Sequence, residues 1–427
     1  VNALLIGYGD FEYAGMKHVY HFANGLAALG LRVMVLVPGD PGTAALMADP
    51  PRFELVPVGF VGPFLAAATR RAATRFAPDI IHAWTPRNIP ARVAWELKRR
   101  TGARLVVDYE DDEDMHYEAH VRAMGKRLSS ALRRLLWPLL KARLMLKPLL
   151  WPMNWKGGEP YGPKHPLTYR LVNRAADAFT AICTPLKQRL EREWPGKPTY
   201  LLYPGADLQR FSPQAHGQQV RRRYGLSGRK VLLYSGTANT TILDSLLEVL
   251  QQVRARHPEA ALMHVGNDDF REEVDALVDS RGLQGHIVLT GSVPHRQIHL
   301  YLAASDVLLQ HNYDLSNEYR LPAKLPEYLA MGRPVVTFSA GIGRLLQDGI
   351  DVLKVSTDRP EEMAEKVLRI LDDEQLARRL GANARRKAEE LFDWQKNART
   401  LARIYEEVLA RPVEGVPTRE RHERGLR

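Results

Sequence analysis

Lys324 and Glu327 stand three residues apart in the run Pro322 to Val336, a spacing that puts a cation and a carboxylate on one face of a helical turn. Gly332 stops that helix, and Pro334 to Phe338 begins an apolar strand. The pair reads as a ligand-binding edge, or else as a surface salt bridge of little energetic value. Two glycine-bearing turns offer backbone N–H groups to an anion. Gly7 to Gly15 leads from an apolar run into a helical pattern, where it can hold a phosphate or a sugar, or serve only as a tight connection. Tyr234 to Thr241 repeats the arrangement. Through Gly236, Thr237 and Asn239 it suits a pyrophosphate, but it lacks the Lys-Ser/Thr pair of a P-loop. Asp108 to Asp114 places six carboxylates in seven residues. Asp108 and Asp111 are therefore candidates to bind hydroxyls or assist proton transfer, with a solvated acidic loop as the alternative. The same run has donors for a divalent metal, yet nothing in it fixes a ligand geometry. His82 also ends an apolar run, and reads either as a catalytic group or as a structural histidine.

These residues need a scaffold, and the chain alternates apolar runs with helical patterns throughout. The runs Ala3 to Ile6, Arg32 to Val37, Phe53 to Val58, Ile80 to His82, Arg104 to Asp108, Phe179 to Ile182 and Thr199 to Tyr203 predict one parallel sheet. A second series follows at Val231 to Tyr234, Ala261 to Val265, Ile287 to Leu289, Val307 to Leu309, Pro334 to Phe338 and Val352 to Val355. The fold class is thus α/β, with two doubly wound domains. Ligands of such sheets sit beyond the carboxyl ends of the strands, so the expected site is the cleft between the domains. The expected division is 1–212 for the first domain, 213–392 for the second, 393–412 for a closing helix that returns to the first, and 413–427 for a frayed tail. The first long helix is expected over Gly15 to Leu29, with Gly30 as its stop.

The 427 residues carry 45% apolar and 26% charged side chains and a single cysteine, Cys183. That is a globular composition without an internal disulfide framework. No apolar run reaches the ~20 residues of a spanning helix, and Val1 to Asp10 lacks the basic lead of a secretory signal. The expected location is the cytoplasm, at the inner face of the membrane. The net charge of +11 is concentrated: Arg122 to Arg174 holds twelve Lys/Arg against one acid, Glu159. Within the helical insert expected at 122–166, leucines recur at steps of four and three beside Arg127, Arg133, Arg134 and Lys141, and Trp137, Trp151 and Trp155 decorate the same stretch. Cations next to Leu and Trp suit an anionic bilayer surface. The spacing equally fits a helical hairpin packed on its own domain or on a second subunit. Nucleic acid is the poorer partner, since it calls for stacking aromatics in a polar groove.

The run Pro322 to Val336, together with Ala175 to Phe179, Tyr203 to Phe211 and Gly381 to Trp394, resembles the retaining, two-Rossmann (GT-B) glycosyltransferases of family 4. The resemblance implies transfer of a sugar from a nucleotide-diphosphate donor to a lipid-linked or surface-polysaccharide acceptor, with retention and without metal or other cofactor. It further implies that Glu327 holds the donor ribose, that Lys324 or Arg320 neutralises the diphosphate, and that Gly15 belongs to a phosphate-facing loop. The family's Glu-x7-Glu motif calls for Glu at 319, where this chain has Tyr319, with Glu318 one residue earlier. Thr237, Asn239 and Thr240 stand where the family has a basic pair, and the acidic run at Asp108 to Asp111 replaces its usual histidine. A nucleotide-sugar epimerase of the same plan and a non-catalytic, glycosyltransferase-like scaffold are the alternative readings.

Overall fold

A computed structural model describes residues 1–11, 13–61, 64–113, 166–267, 271–311, 319–356 and 359–412. The basic insert with its membrane candidates Arg127, Arg133, Arg134, Trp137, Lys141, Trp151 and Trp155, the donor candidate Glu318 and the tail at 413–427 lie outside the described residues.

The first sheet contains β1 (Asn2–Ile6), β2 (Arg32–Val37), β3 (Glu54–Pro57), β6 (Ile80–Trp84), β7 (Arg104–Tyr109), β8 (Ala178–Ala181) and β9 (Thr199–Leu201). Its spatial order is β3-β2-β1-β6-β7-β8-β9, parallel throughout. Register pairs Leu4 with Met34 on one side and with Ile81 on the other. All three are buried, as strands covered on both faces require. The second sheet contains β10 (Val231–Ser235), β11 (Ala261–Val265), β12 (Ile287–Leu289), β13 (Val307–Leu309), β14 (Val335–Phe338) and β15 (Leu353–Val355). Its order, β12-β11-β10-β13-β14-β15, repeats the doubly wound plan. The expected strands are all present, with ends shifted by one or two residues where they differ. The sequence did not announce a short antiparallel hairpin, β4 (Phe60–Val61) with β5 (Phe64–Leu65).

Helix Ala14–Ala28 buries Met16, Val19, Tyr20, Phe22, Ala23 and Leu26 against the first sheet. It stops at Gly30, whose φ of +89° an L side chain rarely adopts. The N–H groups of Gly30 and Leu31 bond back to Ala27 and Leu26, a Schellman termination. The helical run after Pro360 is three helices, Pro360–Asp372, Glu374–Leu391 and Trp394–Ala410. Asp373 and Asp393 restart it by capping Leu376 and Gln395 N–H groups.

The last of these helices returns to the first sheet. Leu401, Ile404, Tyr405 and Val408 are buried in the same apolar cluster as Leu5, Val35 and Val106, and Gly25 leaves room for Ala398, which a Cβ there would meet at 2.5 Å. Two hydrogen-bonded clamps hold the crossing. The Arg385 guanidinium donates to the carbonyls of Leu208, Phe211 and Ala330, and the Asn397 amide donates to Tyr203, Pro204 and Leu391.

Candidate functional site

Lys324 is the residue immediately before the short helix Leu325–Ala330, and its ammonium lies 3.8 Å from the Tyr234 ring centroid at the end of β10. It also reaches the turn after that strand, where a Cβ at Gly236 would sit 3.1 Å from Lys324 Nζ. Gly236 has φ +108°, so the close approach and the backbone conformation both call for glycine. Tyr328 ties the helix to the same strand end: its hydroxyl accepts from Ser235 N–H at 2.7 Å and lies 3.0 Å from Ser235 Oγ. Burial lowers the Lys324 pKa to about 7, although the side chain keeps partial solvent exposure.

The salt bridge that spacing allows does not form. Glu327 pairs instead with His295, whose Nε2 donates to Oε1 across 2.7 Å. Among the described residues no carboxylate lies within ion-pair distance of Lys324. Two neighbours in the turn behave differently. Thr237 is exposed, and its carbonyl accepts from the Tyr234 hydroxyl at 3.0 Å. Asn239 caps helix Thr240–Arg254, its Oδ1 accepting from Ile242 N–H.

Arg320 crosses between the domains. Its Nε donates to Asp111 Oδ1 at 2.6 Å, and Asp111 follows the carboxyl end of β7. Arg87, which also donates to Glu113 at 3.0 Å, lies 3.4 Å from Asp111. Asp111 thus acts in the structure as a bridge to the second domain.

Two sequence expectations need correction. Asp108 and His82 are 3% and 0% exposed, in a closed relay rather than at a cleft wall. The Tyr405 hydroxyl donates to His82 Nδ1 at 2.8 Å, His82 Nε2 donates to Thr180 Oγ1 at 3.3 Å, and the Thr180 hydroxyl donates to Asp108. Burial lowers the His82 pKa to about 3 and, with the Glu110 charge, raises that of Asp108. A neutral His82 fits this relay, since each of its nitrogens then has one role. The pair fastens the closing helix to β6, β7 and β8. Gly15 likewise faces a carboxylate: a Cβ there would meet Glu110 Oε2 and Tyr8 Oη at 2.1 Å. Glu110 accepts from Trp84 Nε1 at 2.9 Å and pairs with His18 Nδ1 at 2.5 Å. The Glu110 carboxyl thus occupies the space beside the first turn of helix Ala14–Ala28.

Sequence reasoning passed over His295, Tyr234 and Tyr328 as site residues. Tyr328 adjoins Glu327 in a recognised run, so proximity was available as a signal. His295 has none, because it lies 32 residues from its partner. A separate surface cavity lined by Leu29, Lys396, Thr400 and Arg403 contains none of the candidates.

Residues 229–373 match the family model described as Glycosyl transferases group 1, and residues 16–146 match that described as Glycosyltransferase Family 4. The chain is 28% identical over 198 residues to alpha-D-kanosaminyltransferase of Streptomyces kanamyceticus, covering 46% of this chain and 50% of that protein. It is 26% identical over 243 residues to the GDP-mannose-dependent alpha-(1-6)-phosphatidylinositol monomannoside mannosyltransferase of Mycolicibacterium smegmatis, covering 55% and 63%. The chain therefore matches little more than half the length of these relatives. In fold it is similar to Anabaena Alr3699/HepE in complex with UDP and glucose, with a TM-score of 0.69, 16% identity and coverage of 95% of this chain and 99% of that one.

Proposed function

Since the chain belongs to the group 1/family 4-like glycosyltransferases, we propose that it moves a sugar from a nucleotide-diphosphate donor to a lipid-linked or surface-polysaccharide acceptor. The observation that carries this reading is Lys324. Its ammonium stands against the Gly236 turn, the place where the family has cations and this chain has Thr237, Asn239 and Thr240. A cation without a carboxylate partner among the described residues is a receptor for the diphosphate. Glu327, on the first turn of the adjoining helix, accepts hydrogen bonds from the ribose hydroxyls.

In this mechanism the bond between C1 and the diphosphate oxygen breaks, and Lys324 neutralises the charge that collects on the leaving group. The acceptor oxygen bonds to C1 on the face the diphosphate leaves, and its proton passes to a leaving-group oxygen. Configuration is retained, and neither an enzymic nucleophile nor a metal takes part. Arg320 is the second cation for the diphosphate, once it exchanges Asp111 for the ligand. Asp111, which Arg87 still holds at 3.4 Å, then meets an acceptor hydroxyl from the opposite domain.

The membrane-associated part of the proposal is supported by the basic, Leu- and Trp-bearing stretch 122–166 and by similarity to an enzyme whose name specifies a phosphatidylinositol monomannoside acceptor. No helix among the described residues is long and apolar enough to cross a membrane. Calorimetric titration with UDP, GDP and their sugars tests the donor site. Wild type binds one nucleotide series, and Glu327→Ala weakens it by at least about tenfold, the scale of one charge-assisted hydrogen bond. Equal affinity in the variant removes Glu327 from the site.

A further inference from the structure

Glu327 meets the proposed donor with one of its oxygens already engaged. His295 opens helix His295–Leu302 and brings Nε2 to 2.7 Å from Glu327 Oε1, with 14% and 16% of the two side chains exposed. The contact joins two helices across 32 residues of chain, so it is not a consequence of spacing within one helix. The imidazole is itself confined: the Phe211 ring lies 5.9 Å away, and the His21 ring 6.5 Å away, centroid to centroid. Its second nitrogen, Nδ1, is buried without a hydrogen-bond partner among the described residues.

That asymmetry defines what His295 does. A bare Nε2 would set a lone pair against the carboxylate, so Nε2 must carry hydrogen. Nε2–H is therefore the ring's one hydrogen-bonded contact among the described residues. The carboxylate of Glu327 is then held at one oxygen by a ring whose own orientation is fixed by packing. Its Oε2 and the remaining lone pairs are left to accept from a ligand.

We propose that His295 is a positioning residue for donor binding: it fixes the plane of the Glu327 carboxylate so that the free oxygen receives the vicinal hydroxyls of the nucleotide ribose. This rests on the donor reading of Glu327 above. A glutamate left to itself samples many rotamers, and ordering it on binding costs affinity. The ribose is remote from the bond being broken, so the held carboxylate contributes to ground state and transition state alike. Removing His295 therefore raises the donor KM and leaves kcat nearly unchanged.

The test uses the full chain, with UDP and GDP as binding probes and the preferred nucleotide sugar for turnover. His295→Ala should weaken nucleotide binding and raise KM about tenfold, the loss expected for one hydrogen bond to a charged group, with kcat within about twofold of wild type. His295→Gln, whose amide N–H can occupy the place of Nε2–H, should recover most of that loss. A merely structural histidine would not be rescued in this way and would lower kcat and thermal stability together. Wild-type affinity in His295→Ala, or no recovery in His295→Gln, overturns the positioning role while Glu327→Ala remains defective. If Glu327→Ala itself binds as wild type does, or wild type binds neither nucleotide, the donor reading fails and the inference falls with it.

Discussion

Burial holds the Lys324 ammonium near its titration point, because Tyr234 offers only a ring face and Gly236 only backbone in exchange for the water removed. With a pKa of about 7 in the free protein, the side chain is charged below that pH and loses its proton above it. A bound diphosphate favours the charged form and raises the pKa, so binding at neutral pH takes up a proton. Nucleotide affinity should be greatest below about pH 7 and weaken as pH rises, by up to about tenfold per unit. Titration calorimetry in buffers of different ionisation enthalpy reads the proton directly. Lys324→Met should bind weakly at every pH and take up none, whereas an unchanged proton uptake in that variant would assign it to another group. Sequence spacing made Lys324 and Glu327 visible as a ligand-binding edge, but not the side chains they touch. Their contacts, Tyr234 and His295, are fixed by how β10 and helix His295–Leu302 pack, and no local pattern encodes that.

Helices and strands were legible where a physical signal was local. Apolar runs located the strands to within two residues, and Gly30 stopped the first helix by a backbone geometry that glycine allows. Less legible was the face on which a strand residue lands. His82 and Asp108 end or adjoin apolar runs and read toward the cleft, yet His82 bonds to Tyr405 of the closing helix, 323 positions later, and Asp108 joins the same relay through Thr180. Tyr405→Phe should show this. It strands the buried His82 Nδ1 and should cost about 1–3 kcal/mol of stability. Chemical denaturation measures the loss, with the donor KM unaltered. A stability unchanged within error would mean that the relay does not fasten the closing helix.

Across the molecule, the duplicated doubly wound plan and the return of the last helix put residues from distant parts of the chain between two sheets. Asp111 and Arg320 span that junction at 2.6 Å, an association that composition does not reveal, although each residue was singled out for other reasons. The concentrated charge of stretch 122–174 is a whole-molecule property of a different kind, readable directly from sequence. Neutralising Arg127, Arg133, Arg134 and Lys141 should release the protein from vesicles containing anionic lipid, and salt should release the wild type similarly. Flotation that neither change alters would exclude an electrostatic membrane contact by this stretch.

The role proposed for the Lys324 and Glu327 region is to receive a nucleotide-diphosphate donor. Its most direct test is a calorimetric titration of UDP and GDP into the wild-type chain and into Glu327→Ala. Wild type should bind one nucleotide saturably, and the variant should bind it at least about tenfold more weakly. Binding of neither nucleotide, or equal binding by both proteins, would contradict it.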